Sequence, residues 1–389
     1  MSRDSVVLLV LVLALFAFGL VMLYSATAVT AEKSPRFQDD AHFLKKQLLW
    51  VMVSIGAMIV VGRVPYPMWA KWRGPILVIT IAVLGLVFVP GVGAQINAAK
   101  RWIRVGGQFL QPSEAAKIGI AIFLCGFAAA DPERLKSFFK GFIPAFAVIA
   151  VVCGMIIVEP DIGTAVFIGT VMTLTLVVAG IRIWHLVPGG ITAGVAVAWY
   201  ALKHTEHFRV RWETFLHPEA DPLGRGHQIT QSMIALGTGG WTGVGLGQGT
   251  SKLYFLPEAH SDFIFPVIGE ELGFLGASAM VLLYMAIGFV GYRIMRRTHD
   301  RFAFLLSFAV TTYIILQAAM NVAVVTASMP TKGIPLPFVS AGGSSVLFTM
   351  IGVGILVNIA NATERGACQE GGSASCSPGA APAVISSPA

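Results

Sequence analysis

Ten apolar stretches punctuate the chain, near residues 6–24, 47–62, 74–90, 113–130, 141–157, 161–180, 185–203, 263–291, 302–325 and 345–360. About 20 helical residues cross a hydrocarbon core of about 30 Å, and most of the stretches approach that length. Apolar and polar residues do not alternate within them, as they would in barrel strands. The pattern predicts an all-α integral membrane protein with about ten transmembrane helices. The connections are of two kinds. Alternate ones are short and basic, whereas 91–112, 204–262 and 326–345 are rich in Gly, Pro, Trp and charged residues. Residues 204–262 are too long for a passive connector and predict short helices of their own, one near His227 to Leu236. Hence the expected organisation is a ten-helix domain over 1–361 with a large extracytoplasmic loop at 204–262. The Gly-, Ala-, Ser- and Pro-rich residues 362–389 read as a disordered cytoplasmic tail.

Composition supports the membrane reading. Of 389 residues 56% are hydrophobic and 12% charged, too little polar material for a water-facing surface, which excludes a soluble enzyme or a disordered chain. The net charge of +7 does not point to nucleic acid, because the basic residues are scattered among short loops. An even span count puts both termini on one side. If that side is cytoplasmic, its segments carry the whole +7 and the outer segments sum to zero, which favours cytoplasmic termini. Cys125 and Cys153 lie inside spans and Cys368 and Cys376 in the tail, so neither a disulfide framework nor a zinc spacing is present.

Candidate chemistry gathers in the outer connections. Leu256-Pro-Glu-Ala-His-Ser-Asp262 places Glu258, His260 and Asp262 at the rim of a span. Asp262 reads either as an N-cap accepting backbone N–H bonds or as a carboxylate at a cavity mouth. Glu270 and Glu271 lie two turns further, where a charge is costly unless it meets a cavity or a partner. Glu270 projects within about 80° of Asp262 and is the expected cavity liner. Lys100-Arg-Trp-Ile-Arg104 precedes Gln111-Pro-Ser-Glu-Ala-Ala-Lys117, a helix start in which Glu114 and Lys117 share a face. Their pairing reads as a structural ion pair, and the three cations ahead of the helix, Lys100, Arg101 and Arg104, also suit an anion. Lys332, in the Pro-rich loop before Ser344 and Ser345, either snorkels or contacts phosphate. Asp161, in Glu159-Pro-Asp-Ile-Gly-Thr-Ala165, reads as a cap for the next helix or as a further site carboxylate. The seven glycines of Gly237 to Gly249 fit no dinucleotide or phosphate-loop pattern and predict a loop folded tightly on the bundle.

Together these blocks resemble the SEDS family (shape, elongation, division and sporulation). The resemblance is carried by Arg101-Trp-Ile, Gln111-Pro-Ser-Glu-x-x-Lys117, Glu159-Pro-Asp-x-Gly-Thr-Ala165, Leu256 to Phe263, Gly269-Glu-Glu-Leu-Gly-Phe274, Pro330-Thr-Lys-Gly333 and Gly342-Gly-Ser-Ser345. The last two lie closer to the FtsW and SpoVE branches than to RodA. The resemblance implies a ten-helix enzyme of the bacterial cytoplasmic membrane that polymerises lipid II into glycan on the outer face during cell division. It implies Asp262 as the essential catalytic aspartate. The accompanying expectation is that Arg101, Arg104, Glu114, Lys117, Asp161, Glu258, His260, Glu270, Lys332, Ser344 and Ser345 bind substrate. Inverting transfer needs one base for the acceptor hydroxyl, and cations suit the polyprenyl-diphosphate leaving group. No metal ligand set is identified, although a divalent cation could share the cations' role. Implied partners are a class B penicillin-binding protein and other divisome proteins. The alternatives are a lipid II flippase, an elongation or sporulation paralogue, and a non-enzymatic scaffold.

The charge split generates a topology test. In a cysteine-free background, Glu219→Cys should react with an impermeant thiol reagent on intact cells and Thr298→Cys should not. The reverse labelling pattern would overturn the orientation.

Overall fold

The computed structural model describes all residues except 34–38, 97–98, 204–212, 218–225, 254–255, 257–258, 332 and 371–389. Its helices are α1 (Arg3–Lys33), α2 (His42–Arg63), α3 (Tyr66–Lys71), α4 (Arg73–Leu86), α5 (Pro112–Ala130), α6 (Pro132–Leu135), α7 (Ile143–Val158), α8 (Ile162–Val178), α9 (Ile183–Lys203), α10 (His227–Gly239), α11 (Ile264–Arg297), α12 (Arg301–Val325) and α13 (Gly343–Glu370). Every predicted span falls on one of them. Among the described residues seven helices are long and apolar enough to cross a membrane, and α4 and α8 are shorter apolar helices. The chain is a multi-pass membrane protein. Its buried centre is α5, α12 and α13, whereas α2 carries Leu49, Met52 and Val60 on an exposed apolar face.

Two features depart from the sequence reading. Residues 91–112 hold a three-stranded antiparallel sheet, β1 (Gly93–Ile96), β2 (Ala99–Val105) and β3 (Gln108–Leu110), in the order β1-β2-β3. Its strands are short and lack a long alternating pattern, so the segment reads as a loop from sequence alone. The final helix also continues to Glu370, past the predicted start of the disordered tail at residue 362.

α1 and α11 are tied to each other at two heights. At one end Asp4, buried, meets Arg293 at 2.9 Å and Arg297 at 2.6 Å. At the other, Ser25 donates to Glu271 at 2.7 Å, and Lys252 pairs with the same carboxylate at 2.6 Å. At 1.5 Å per residue the two ties are about 32 Å apart along the unbroken α1, close to the thickness of a hydrocarbon core.

Between the two ties, two residues past Glu271, α11 is broken. Gly273 takes φ 67°, ψ −167° in the middle of the helix. The break strips the next turn of its internal hydrogen bonds, and the Gly-rich loop after α10 replaces them. Phe274 N–H donates to the Gly240 carbonyl at 2.8 Å and Leu275 N–H to Trp241 at 3.1 Å. In exchange the Glu270 and Glu271 carbonyls accept from Val244 and Gly245, each at 3.0 Å. These four bonds occupy backbone groups that would otherwise seek water, as irregular chain beside lipid requires. The tight folding expected of 237–249 is therefore observed, and glycine makes it possible: a Cβ on Gly239 or Gly243 would strike the backbone of α11.

Gly273→Ala should destabilise the protein by at least about 1–3 kcal/mol, because its backbone region is nearly closed to other residues. The new Cβ would also stand 2.6 Å from the Trp241 carbonyl carbon. Gly237→Ala, which meets nothing within 4 Å, is the control. Thermal melts in detergent check this, and equal melting temperatures for the two variants would contradict it.

Candidate active site

The short segment ahead of α11 is stitched down one carbonyl at a time. His260 C=O accepts from Ala341 N–H at 2.9 Å, Ser261 C=O from Ser340 Oγ at 2.6 Å, and Asp262 C=O from Asn321 Nδ2 at 2.8 Å. The second Asn321 N–H goes to the Ile334 carbonyl at 2.8 Å. With its backbone fixed, the half-buried Asp262 carboxylate has a defined place. It accepts from Ser261 Oγ at 3.3 Å, and its Oδ2 stands 2.8 Å from where a Cβ on Gly333 would be. Gly333 thus lets the 333–335 loop approach the carboxylate.

The capping account of Asp262 does not hold. α11 begins at Ile264, its N-cap is Phe263, and no side chain caps it. His260 is half-buried, with its ring 5.2 Å from that of Phe43. Glu258 and Lys332 lie outside the described residues.

On the other side of the 333–335 loop stands a buried ion pair. Lys117 Nζ meets Glu114 at 2.7 Å and donates to Gln317 Oε1 at 3.0 Å, with its ammonium over the Phe167 and Tyr313 rings at 5.1 and 4.9 Å. Tyr313 donates to the other Glu114 oxygen at 3.3 Å, and Gln317 Nε2 donates to the Pro335 carbonyl at 2.8 Å. An ion pair this deep is favourable only because its remaining donors and acceptors are also satisfied. Gln111, Glu114, Lys117, Thr164, Phe167, Gly333, Ile334 and Pro335 line a small pocket, so the ion pair and Asp262 approach Gly333 from two directions. Ser344 and Ser345 are buried behind it. Ser344 Oγ accepts from Gln111 N–H at 3.3 Å, and the Ser345 carbonyl accepts from Thr349 at 2.7 Å.

Arg101 and Arg104, adjacent in the sequence cluster, both lie on β2. The strand bulges at Arg101, between Lys100 and Trp102, and the two arginines meet different surroundings. Arg101 Nη1 lies 3.8 Å from Asp161, while Arg104 is exposed. Asp161 caps α8, accepting from Thr164 N–H at 3.1 Å and Thr164 Oγ1 at 2.8 Å, and it also accepts from Gln111 Nε2 at 3.2 Å. Arg101 Nε is buried and makes no hydrogen bond. Beside it, at the junction of α7 and α8, Glu159 is 1% exposed with neither carboxyl oxygen partnered. Burial, reinforced by the Asp161 charge and opposed by Arg101, pushes its pKa up to about 8.

Glu270 corrects the sequence reading most clearly. Expected to line a cavity, it is 1% exposed and accepts from Thr250 N–H at 2.8 Å, Thr250 Oγ1 at 3.2 Å and Ser251 N–H at 3.2 Å. It pins the Gly-rich loop to α11, as Glu271 does through Gly247 N–H at 3.0 Å and Lys252. The helical wheel from Asp262 misplaces it because Asp262 precedes the helix. Conversely, Tyr313, Gln317 and Asn321 were not singled out in sequence. Their four-residue spacing on one face of an apolar span is the signal that could have found them. Among the described residues no group of three or more His, Cys, Asp or Glu could hold a metal ion.

Comparison with known proteins agrees with this architecture. The FtsW/RodA/SpoVE family, described as "Cell cycle protein", matches residues 5–365. A probable peptidoglycan glycosyltransferase FtsW from Trichlorobacter lovleyi is 40% identical over 359 residues, covering 92% of this chain and 93% of the relative. Stage V sporulation protein E of Bacillus subtilis is 38% identical over 360 residues, covering 92% and 97%. Among solved structures, a chain described under "Structural coordination of polymerization and crosslinking by a peptidoglycan synthase complex" superposes with TM-score 0.76 at 24% identity, covering 92% of this chain and 97% of that one. The Thermus thermophilus rod shape determining protein RodA gives TM-score 0.64 at 22% identity, covering 91% and 95%. At these identities the structures share the fold.

Glu159 makes stability depend on pH. Below the ordinary carboxyl value of 4.5, folded and unfolded chains both hold its proton. Between 4.5 and about 8 only the folded form keeps it, so unfolding releases a proton and stability falls as pH rises through that window. Glu159→Gln should therefore gain melting temperature over the parent as pH goes from about 5 to about 9. Parallel melting curves across that range would show that Glu159 ionises normally.

Proposed function

The chain belongs to the FtsW, RodA and SpoVE family of cell-cycle proteins, and we propose that it is a peptidoglycan glycosyltransferase of cell division whose catalytic base is Asp262. The observation that carries the assignment of the base is a half-buried carboxylate that caps no helix, on a backbone held at three consecutive carbonyls, facing the glycine of a loop that also walls a polar pocket. A general base needs that kind of fixed position.

In the proposed reaction Asp262 takes the proton of an acceptor sugar hydroxyl while that oxygen attacks the anomeric carbon of lipid-linked donor. The bond from that carbon to the polyprenyl diphosphate breaks with inversion, and its electrons leave on the diphosphate. A diphosphate leaves as a stable anion, so cations replace the protonated carboxyl of a glycosidase. Arg101 is the best-supported phosphate contact, since its Nε is an unsatisfied donor and Asp161 holds its far end. Lys332 is proposed beside it from its place in the loop, and Arg104, Glu258 and His260 as contacts further out. Glu114 and Lys117 bound the pocket, where their charge would act on the diphosphate through the Gly333 loop.

The proposed orientation puts Asp262 outside the cytoplasmic membrane and both termini in the cytoplasm. The proposed partner is a class B penicillin-binding protein that crosslinks the product, together with other divisome proteins. A flippase would need a polar route onward from Lys117. The space beyond it, between α5, α8 and α12, is lined by Ile118, Ala121, Ile168, Val171, Met172, Ala309 and Val310, which offers a headgroup nothing.

Asp262→Asn preserves size and the backbone ties but cannot take a proton. Loss of a general base costs about 10²–10⁴ in rate. Gel detection of glycan polymer, from purified parental and variant complexes at matched partner occupancy, should show at least a hundredfold loss or about that. Polymer from the variant above about a tenth of the parental rate would return Asp262 to a structural role.

A further inference from the structure

The proposed base does not stand on a helix or strand. It sits on a three-residue stretch whose carbonyls are held from three places: Ala341 N–H on His260, Ser340 Oγ on Ser261 and Asn321 Nδ2 on Asp262. The third anchors the backbone of the segment directly to a membrane helix. Asn321 is 2% exposed, lies in α12, and spends both of its N–H groups on carbonyls, those of Asp262 and Ile334. Its Oδ1 is buried without a partner.

That arrangement stabilises only in part: the two N–H groups satisfy carbonyls that an apolar residue would leave unpaired, while the unsatisfied Oδ1 carries a cost. What it supplies besides is geometry. Ile334 follows Gly333, whose backbone stands against Asp262 Oδ2 closely enough that a Cβ there would lie 2.8 Å away. By holding carbonyls 262 and 334 to one nitrogen, Asn321 fixes the gap between the carboxylate and the loop that walls the pocket. One turn earlier Gln317 holds Lys117 and the Pro335 carbonyl in the same way, so α12 measures both sides of the site against adjacent residues of one loop.

We propose that Asn321 is a positioning residue, which sets where the Asp262 carboxylate meets the acceptor hydroxyl by tying Asp262 and Ile334 to one point on α12. The inference rests on the assignment of Asp262 as base. It predicts a particular kinetic signature: substrate binding survives loss of Asn321, and turnover does not. Misplacing a reacting group by about 1 Å can cost on the order of a hundredfold in rate.

The test compares parental, Asn321→Leu, Asn321→Asp and Asp262→Asn proteins in complex with the partner, measuring kcat and KM with lipid II and the thermal melt of each. Leucine removes both donors and the unsatisfied oxygen at similar volume. Asparagine to aspartate keeps the shape but takes away the two donors when ionised. The expected result is kcat lower by about tenfold or more for both Asn321 variants, with KM within about twofold and both proteins folded at the assay temperature, their melting lowered because the Asp262 and Ile334 carbonyls lose their donor. Parental kcat in either folded Asn321 variant would overturn the proposal, and so would failure of both to fold, which would make Asn321 part of the frame. Activity of Asp262→Asn is read separately: if that variant is active, the base assignment fails, whatever Asn321 does.

Discussion

A backbone N–H or C=O that loses its helical partner inside a membrane protein has no water to turn to, and the whole active end of this bundle is arranged around that requirement. The break at Gly273 is tolerated because a second chain segment repeats, from outside, the hydrogen bonds the helix has lost. The carbonyls of 260–262 and of 334–335 are likewise taken up by side chains and loop amides. Asparagine, glutamine and serine at these points supply donors that the irregular chain could not otherwise find. Irregular backbone is what brings a carboxylate, a glycine loop and a buried cation to one place, and each irregularity has a matching donor set.

The ionisable residues follow a related rule. Those buried in pairs have their spare valences filled, Lys117 with Glu114 and Lys252 with Glu271, while the buried Asp4 meets two more exposed arginines. The groups left over are few, and two of them, Arg101 Nε and the Glu159 carboxyl, are neighbours at the α7–α8 junction. A protonated Glu159 leaves Asp161 as the main counter-charge of Arg101. That keeps the guanidinium less fully neutralised than two carboxylates would, and better suited to meet an anion.

Most of the helical frame was legible in the sequence, because a span long enough to cross hydrocarbon leaves an uninterrupted apolar run whatever its neighbours do. The ten stretches, α10 and the tight glycine loop could all be read that way. Side-chain destinations were less legible. Glu270 and Glu271 look like cavity groups when only their depth is considered, yet both fasten the loop 247–252, which arrives from another part of the chain. Arg101 and Arg104 look like one cluster, yet one is half-buried beside Asp161 and the other is exposed. Asp262 looks like a helix cap because it precedes an apolar run, whereas the helix starts two residues later. Each of these depends on a contact distant in sequence, which local pattern cannot carry.

The double fastening of α1 to α11 has a mechanical meaning. Two helices joined only at one point can slide or splay, but a pair pinned near both ends is held to a fixed length, here set by the unbroken α1 at about 32 Å between pins. The surrounding bilayer must then adapt to the protein, because the pinned pair resists shortening or tilting of one helix relative to the other. Lipid thickness that departs from that length would be met by thinning or thickening of the membrane at the protein's edge, at a cost of fractions of a kcal/mol per Å. Such a body gathers bilayer of its own preferred thickness, so the same ion pairs that hold two helices together also bias which patches of membrane the enzyme occupies.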